Sequence, residues 1–310
     1  MNNRTVRYEV DGSVSLVEVD VGDPGPGEIQ LTGGGCGICS WDVATARLGD
    51  RMVPMAPPGH EGVGYVAKVG SGVSGYAEGD RVAGGGFANV RNVPAGSSYR
   101  IPESDLPDEC WIVEPVACAV TGIDHCRVRP GQRIAVIGCG FMGLMIIQGL
   151  LQHPLDQLVA IDVLQERLDL ALSFGVAEVH DPSRADSGEL ADSLFERDLD
   201  VVVDTSGSQA GLDLATRVVR RGGTINLFGW IKGEASFDAS VWHLKGLTVV
   251  NSAPGAKLRN TFPAAIRMLA KGYIDLRPLV THQMLLDDYP AAMKQIVAGD
   301  PTYIKGVVKL

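Results

Sequence analysis

Arg133-Ile134-Ala135-Val136-Ile137-Gly138-Cys139-Gly140-Phe141-Met142-Gly143 is the stretch that decides the fold. Ile134 to Ile137 form a short apolar run that suits a buried strand, and the apolar residues from Met142 to Gln152 suit a buried helix. Gly138, Gly140 and Gly143 between them match Gly-x-Gly-x-x-Gly, and Asp162 ends the next apolar run, 24 residues after Gly138. Alone, a glycine-rich turn says little, but strand, turn, helix and a later acid together describe a dinucleotide site. The first glycine makes the turn, the second admits a pyrophosphate, and the third lets helix and strand pack closely. The helix N-terminus, with the amides of Phe141 and Met142, offers N–H groups and a positive dipole end to phosphate. Asp162 suits the two ribose hydroxyls and repels a 2′-phosphate, so NAD is expected over NADP. Residues 134–152 carry no formal charge. Their glycines and glutamines favour this reading over a membrane span.

Outward from that stretch, strands and helices alternate. Strands are expected at 158–161, from 200 to 203 and at 224–228, and helices at 165–174, 211–220 and about 261–271. This spacing predicts a parallel sheet with helices on both faces. Residues 1–110 read differently, as short strands such as 28–31 and 62–69 between glycine and proline punctuation. A final strand is expected at 305–310. The fold class is therefore α/β, with a doubly wound domain inserted into a β-rich domain built from both chain ends. The expected bounds are 1–115, 116–250 and 251–310.

Composition narrows the function classes. The chain has 310 residues, a net charge of −10 and 39 glycines. That is about twice the usual glycine share, without a collagen-like repeat. The acidic balance argues against nucleic acid or an anionic membrane as the main partner. The N-terminus lacks a signal-peptide core, so a cytoplasmic protein is expected. The six cysteines all lie in the first half, which suits a reducing compartment rather than a disulfide framework.

Cys39 lies in Gly37-Ile38-Cys39-Ser40-Trp41-Asp42, His60 in Gly59-His60-Glu61, and Glu114 precedes Pro115. Cysteine, histidine and glutamate make a plausible three-ligand zinc set with a fourth position left open. Singly, each also reads as a buried thiol, a core histidine or a surface acid. Together these motifs, with Gly79-Asp80-Arg81-Val82, Asp200 to Asp204, Gly222-Gly223, Phe228-Gly229 and Lys305-Gly306-Val307-Val308, resemble the zinc-dependent medium-chain alcohol/polyol dehydrogenase family. The resemblance spans essentially the whole chain, and Glu114-Pro115 points to its sorbitol-dehydrogenase-like branch.

That resemblance implies a GroES-like catalytic domain and a Rossmann domain, with Cys39, His60 and Glu114 on zinc. It implies that Glu61 sits beside the metal, bound directly or through water, and that Asp42 holds His60. Arg167 would reach the adenosine ribose, and Lys305 would lie near Glu61 and the pyrophosphate. Cys36 matches no ligand position. Members pair through the coenzyme domain, so a homodimer or homotetramer is expected.

Two departures stand out. The family's lobe of four cysteines is missing, because Val82 runs almost directly into Ala83-Gly84-Gly85-Gly86-Phe87. One catalytic zinc per subunit and no structural zinc are therefore expected. The hydroxyl that commonly begins a proton relay is replaced by Trp41, and the second relay position is Ala44. Glu61, with Ser40 or solvent behind it, is left to take the proton. The expected reaction is reversible oxidation of a secondary alcohol in a polyol, cyclitol or sugar to a ketone, with NAD. A zinc-free quinone or enone reductase of the same fold, and a non-catalytic dinucleotide-binding protein, are the alternatives.

Overall fold

The computed structural model describes residues 3–49, 58–184, 187–253 and 257–310. The chain forms two compact units. One holds Met1–Pro115, Ala265–Ala270 and Asp275–Leu310; the other holds Val116–Ala264 and Lys271–Ile274. In chain order the first stretch supplies β1 (Arg4–Tyr8), β2 (Val14–Glu18), β3 (Glu28–Gly37), α1 (Ser40–Leu48), β4 (Glu61–Val69), β5 (Arg81–Ala83), β6 (Val90–Pro94) and β7 (Tyr99–Arg100). Then come α2 (Val113–Cys126), β8 (Arg133–Ile137), α3 (Phe141–Leu150), β9 (Gln157–Ile161), α4 (Gln165–Ser173), β10 (Glu178–His180), α5 (Ser187–Glu196) and β11 (Leu199–Asp204). The chain continues through α6 (Gln209–Val218), β12 (Val219–Leu227), α7 (Ala239–Lys245), β13 (Thr248–Asn251) and α8 (Phe262–Ala270). It closes with β14 (His282–Leu285), α9 (Tyr289–Ala298) and β15 (Gly306–Lys309).

The inserted unit is a six-stranded parallel sheet in the order β10-β9-β8-β11-β12-β13. Numbered along the chain, this is the 3-2-1-4-5-6 order of a doubly wound sheet, whose switch point lies between β8 and β11. Ala135, Ile137, Val159 and Ile161 pack with Leu190, Leu194, Ala215 and Val218 from α5 and α6. Leu144 to Ile147 and Leu150 of α3 are fully buried. A helix apolar on all faces and only ten residues long belongs to a core rather than a bilayer. Among the described residues, no helix is long and apolar enough to cross a membrane.

The expected boundary after residue 250 cuts through β13, whose Asn251 pairs with Leu227. The parallel sheet therefore carries the inserted unit past that point, to Ala264. The helix expected at 211–220 also ends early. Val219 and Arg220 already belong to β12, and a register shift between Leu199 and Val201 absorbs the extra residues, with Gly222 at φ +69°.

The other unit carries a seven-stranded sheet in which β14-β15-β3-β4-β5-β7 lie in order and β6 also pairs with β3. A separate hairpin joins β1 and β2. Among the described residues of this unit, Ile29, Leu31, Val66 and Val82 form one apolar cluster. Val6, Cys36, Ile38, Phe87, Tyr289, Met293 and Val308 belong to another. The sheet matters for function because β3 and β4 pair with Gly37 opposite Glu61, while β15 places Val307 opposite the same Gly37.

Candidate active site

The register at Gly37 decides which side chains meet. Just past it, Cys39 caps the N-terminus of α1, and His60 and Glu61 enter β4. Ligand atoms of Cys39, His60 and Glu61 lie within 4.8 Å of one another. Glu114, in the first turn of α2, is not among them. Glu61, carried by the same strand end as His60, is the carboxylate of this cluster.

Glu61 is 2% and Lys305 3% exposed, and the two form a buried ion pair. Lys305 Nζ also donates to the Ile38 carbonyl at 2.8 Å. Burial alone lowers the pKa of the Lys305 ammonium, but the Glu61 carboxylate outweighs it, and the net shift is upward. Gly37 must be glycine here, because a Cβ would lie 2.1 Å from Glu61 Oε2.

Asp42, 1% exposed, accepts from the Cys39 N–H at 2.8 Å and from the Tyr8 hydroxyl at 3.2 Å. Tyr8 in turn shares a 2.6 Å hydroxyl contact with Tyr289. Desolvation raises the Asp42 pKa, while the Cys39 amide and the charge of His60 hold it back. The carboxylate therefore braces the loop bearing Cys39 directly and acts on His60 through charge. Tyr8 and Tyr289 escaped sequence reasoning; they lie 281 residues apart and no local motif marks them.

Burial pushes the Cys39 thiol up to about 12, and the Glu61 charge adds to the effect; Lys305 and the Trp41 amide oppose it. A thiol so placed becomes a thiolate at neutral pH only beside a cation. One sulfur, one imidazole and one carboxylate at this spacing are a donor set that zinc takes. The residues present fit the metal.

The glycine-rich turn at 138–143 lies between β8 and the start of α3. Gly138 has φ +90°, and a Cβ there would meet Ser206 N at 2.9 Å. At Gly143 a Cβ would sit 1.9 Å from the Gly138 carbonyl oxygen, so the third glycine permits the packing of α3 on β8. At Gly140 a Cβ would meet nothing within 4 Å, which leaves open space over the turn. The first backbone bond of α3 runs from Leu144 N–H to Gly140, so the first-turn amides, those of Phe141 and Met142 included, have no acceptor within the helix. Asp162 follows β9 and accepts from Cys139 N–H at 2.5 Å and Leu164 N–H at 2.9 Å. Arg167 is buried nearby; desolvation lowers its pKa and the Asp162 charge opposes the shift. Thr205 donates to the Gly138 carbonyl at 2.6 Å, tying β11 to the turn across the switch point. Only strand pairing reveals that role. The open space and outward amides fit a dinucleotide pyrophosphate.

Residues 25–103 match the alcohol dehydrogenase GroES-like domain, and residues 142–271 match the zinc-binding dehydrogenase domain. Over 349 aligned positions the chain is 26% identical to the uncharacterized zinc-type alcohol dehydrogenase-like protein YdjJ of Escherichia coli K12, covering 100% of this chain and 99% of the relative. It is 27% identical to the probable D-xylulose reductase A of Aspergillus clavatus, with 87% of each chain covered. The crystal structure of ECK1772, an oxidoreductase/dehydrogenase of unknown specificity from Escherichia coli, superposes with a TM-score of 0.91 at 25% identity, covering 100% of this chain and 99% of that one. With its β-rich unit, its parallel-sheet unit and its full length all matched, the chain belongs to the zinc-dependent medium-chain alcohol/polyol dehydrogenase family.

Proposed function

We propose that this dehydrogenase oxidises a secondary alcohol of a polyol, cyclitol or sugar to the ketone, reversibly, and passes the hydride to NAD. The observation that carries this reading is the meeting of Cys39, His60 and Glu61 donor atoms within 4.8 Å. These three residues would hold one zinc per subunit. When bound, zinc lowers the pKa of a substrate hydroxyl and NAD accepts the hydride.

The chain's own residues prepare both sites. Asp42 fixes the backbone of Cys39, and Lys305 fixes Glu61 and offsets its charge. Gly140 leaves room for a pyrophosphate, and the start of α3 aims its amides there. Asp162 presents a negative charge where a 2′-phosphate would lie, which favours NAD. Trp41 and Ala44 offer no hydroxyl or imidazole for a relay, so the Glu61 carboxylate takes the substrate proton, ahead of Ser40 at the exposed start of α1. The relationship to a D-xylulose reductase supports a polyhydroxylated substrate. A homodimer or homotetramer in the cytoplasm completes the proposal.

Metal analysis of the purified protein, combined with NAD reduction across a panel of polyols, cyclitols and simple secondary alcohols, tests it. Zinc near one equivalent with polyol-dependent NADH formation is expected. A metal-free protein that reduces quinones or enones supports the same-fold reductase instead. NAD binding without turnover on any alcohol supports the non-catalytic alternative.

A further inference from the structure

Two tyrosines from opposite ends of the chain meet beside Asp42. Tyr8 closes β1 and Tyr289 opens α9, and their hydroxyl oxygens lie 2.6 Å apart. Tyr289 is fully buried, and among the described residues its hydroxyl bonds only to Tyr8. The Tyr8 hydroxyl also donates to Asp42 Oδ1 at 3.2 Å. A phenol carries a single proton. With the Tyr8 proton on the carboxylate, Tyr289 must donate to Tyr8, and the three groups form one directed series that ends on Asp42.

Asp42 uses its other oxygen, Oδ2, to accept the Cys39 N–H at 2.8 Å. That bond belongs to the capping box of α1, in which Cys39 is the N-cap and Asp42 lies three residues on. A carboxylate bonded through one oxygen alone can swing about its torsions. Bonded through both, it is fixed, and the backbone of Cys39 with it. The Tyr289 ring makes a second link. Its centroid lies 4.7 Å from that of Phe87. Phe87 packs on Gly59, where a Cβ would fall 2.7 Å from the Phe87 ring, and Gly59 immediately precedes His60.

We propose that Tyr8 and Tyr289 are positioning residues for the metal cluster. Their hydroxyls lock Asp42 and so the Cys39 loop, while the Tyr289 ring backs the strand entry at His60. The inference rests on the reading of Cys39, His60 and Glu61 as zinc ligands. It makes the spacing of two donors depend on a contact between β1 and α9, far from either ligand in sequence.

Zinc release to a colorimetric chelator from the zinc-loaded, full-length protein tests the series, with thermal unfolding of the metal-free protein as the structural control. Tyr8→Phe cuts the series at Asp42 and should release zinc roughly 10–100-fold faster, the usual loss when a group that orients a ligand is removed. Tyr289→Phe keeps the ring on Phe87 and the Tyr8 bond to Asp42, so release should quicken only several-fold. The double variant should release zinc no faster than Tyr8→Phe, because the hydroxyls act in series. Stability should follow a different order. Tyr8→Phe strands the buried Tyr289 hydroxyl, and the double variant removes that stranded group, so the double should unfold at a higher temperature than Tyr8→Phe. Release rates that simply track unfolding temperature across the three variants overturn the proposal, since that pattern reports packing alone. Release from Tyr8→Phe at the wild-type rate overturns it too. Should Tyr8→Phe fail to fold, Tyr289→Phe decides, and a wild-type rate there refutes the series. A wild type that takes up no zinc refutes the metal reading and this inference with it, whereas variant rates against a zinc-loaded wild type bear on the inference alone.

Discussion

Substituting the glycines of the 138–143 turn one at a time separates a cofactor site from a mere structural turn. Gly140 caps α3 in an ordinary extended conformation at φ −73°, and an added methyl meets nothing within 4 Å. Gly140→Ala should therefore cost only the small difference between glycine and alanine at an N-cap, about 1 kcal/mol or less. For a chain of this size that is a fall in Tm of roughly 2–4 °C or less. The open space is where a pyrophosphate must approach the backbone. A methyl there displaces the phosphate from the first-turn amides, and each charge-assisted hydrogen bond lost is worth about 1.5–3 kcal/mol. NAD should then bind at least about tenfold more weakly. Gly143→Ala reverses the pattern: its methyl would lie 1.9 Å from the Gly138 carbonyl oxygen and 2.7 Å from Thr205 Oγ1, so helix and strand must separate. That overpacking costs roughly 1–3 kcal/mol or more without any ligand. Differential scanning fluorimetry of the apo proteins and calorimetric NAD titration read the two effects separately. If Gly140→Ala bound NAD as tightly as wild type, the pyrophosphate would not lie on this turn, and the assignment would fail.

Other expectations follow from the two sites. Zinc should be near one equivalent by elemental analysis; Cys39→Ala and Glu61→Ala should lose it, and Glu114→Ala should keep it, whereas zinc loss in the Glu114 variant alone would restore that residue to the ligand set. NAD should be favoured over NADP by about tenfold or more in kcat/KM, from like-charge repulsion of ~1–2 kcal/mol at Asp162. In Asp162→Gly the ratio should shift toward NADP, the ratio being the proper readout because lost bonds to Cys139 and Leu164 harm both cofactors alike. Glu61→Gln keeps an oxygen donor but no base, so kcat should drop by roughly 10²–10⁴. Ser40→Ala should cost little, and the reverse result with equal zinc content would move the proton to Ser40.

Legibility in the sequence followed the range of the interactions. The parallel-sheet unit was readable because strand, turn, helix and acid all fall within 30 residues, and each glycine's role depends on close neighbours. Gly143 illustrates this, since the nearest atom that forbids a side chain there is the Gly138 carbonyl oxygen of the same turn, whereas the atoms that crowd Gly138 belong to Thr205 and Ser206. Thr205 was not readable. Its bond to the Gly138 carbonyl exists only because β11 pairs with β8, 67 residues away. The short edge strands β10 and β13 were missed for a related reason: three- and four-residue strands carry too little pattern to register. The metal cluster was half readable. Cys39, His60 and Glu61 sit in recognisable local motifs, but that their donor atoms meet depends on the pairing of β3 with β4.

Register brings three distant parts of the chain to one place. Val307 and Glu61 both oppose Gly37, from β15 on one side and β4 on the other. Ile38 N–H bonds the Gly306 carbonyl at 2.9 Å, and Lys305 returns to the Ile38 carbonyl and Glu61. Glu61 at 2% exposure would be an uncompensated buried charge without that lysine, at a cost of about 3–5 kcal/mol. The last strand is thus part of the metal cluster's support, although it adds no donor to it. The parallel-sheet unit can be inserted between residues 115 and 265 because the bonds that shape the cluster run between β3, β4 and β15, all outside the insertion. The same geometry explains Gly37: every larger residue would push Glu61 Oε2 away from both Lys305 and the donor cluster.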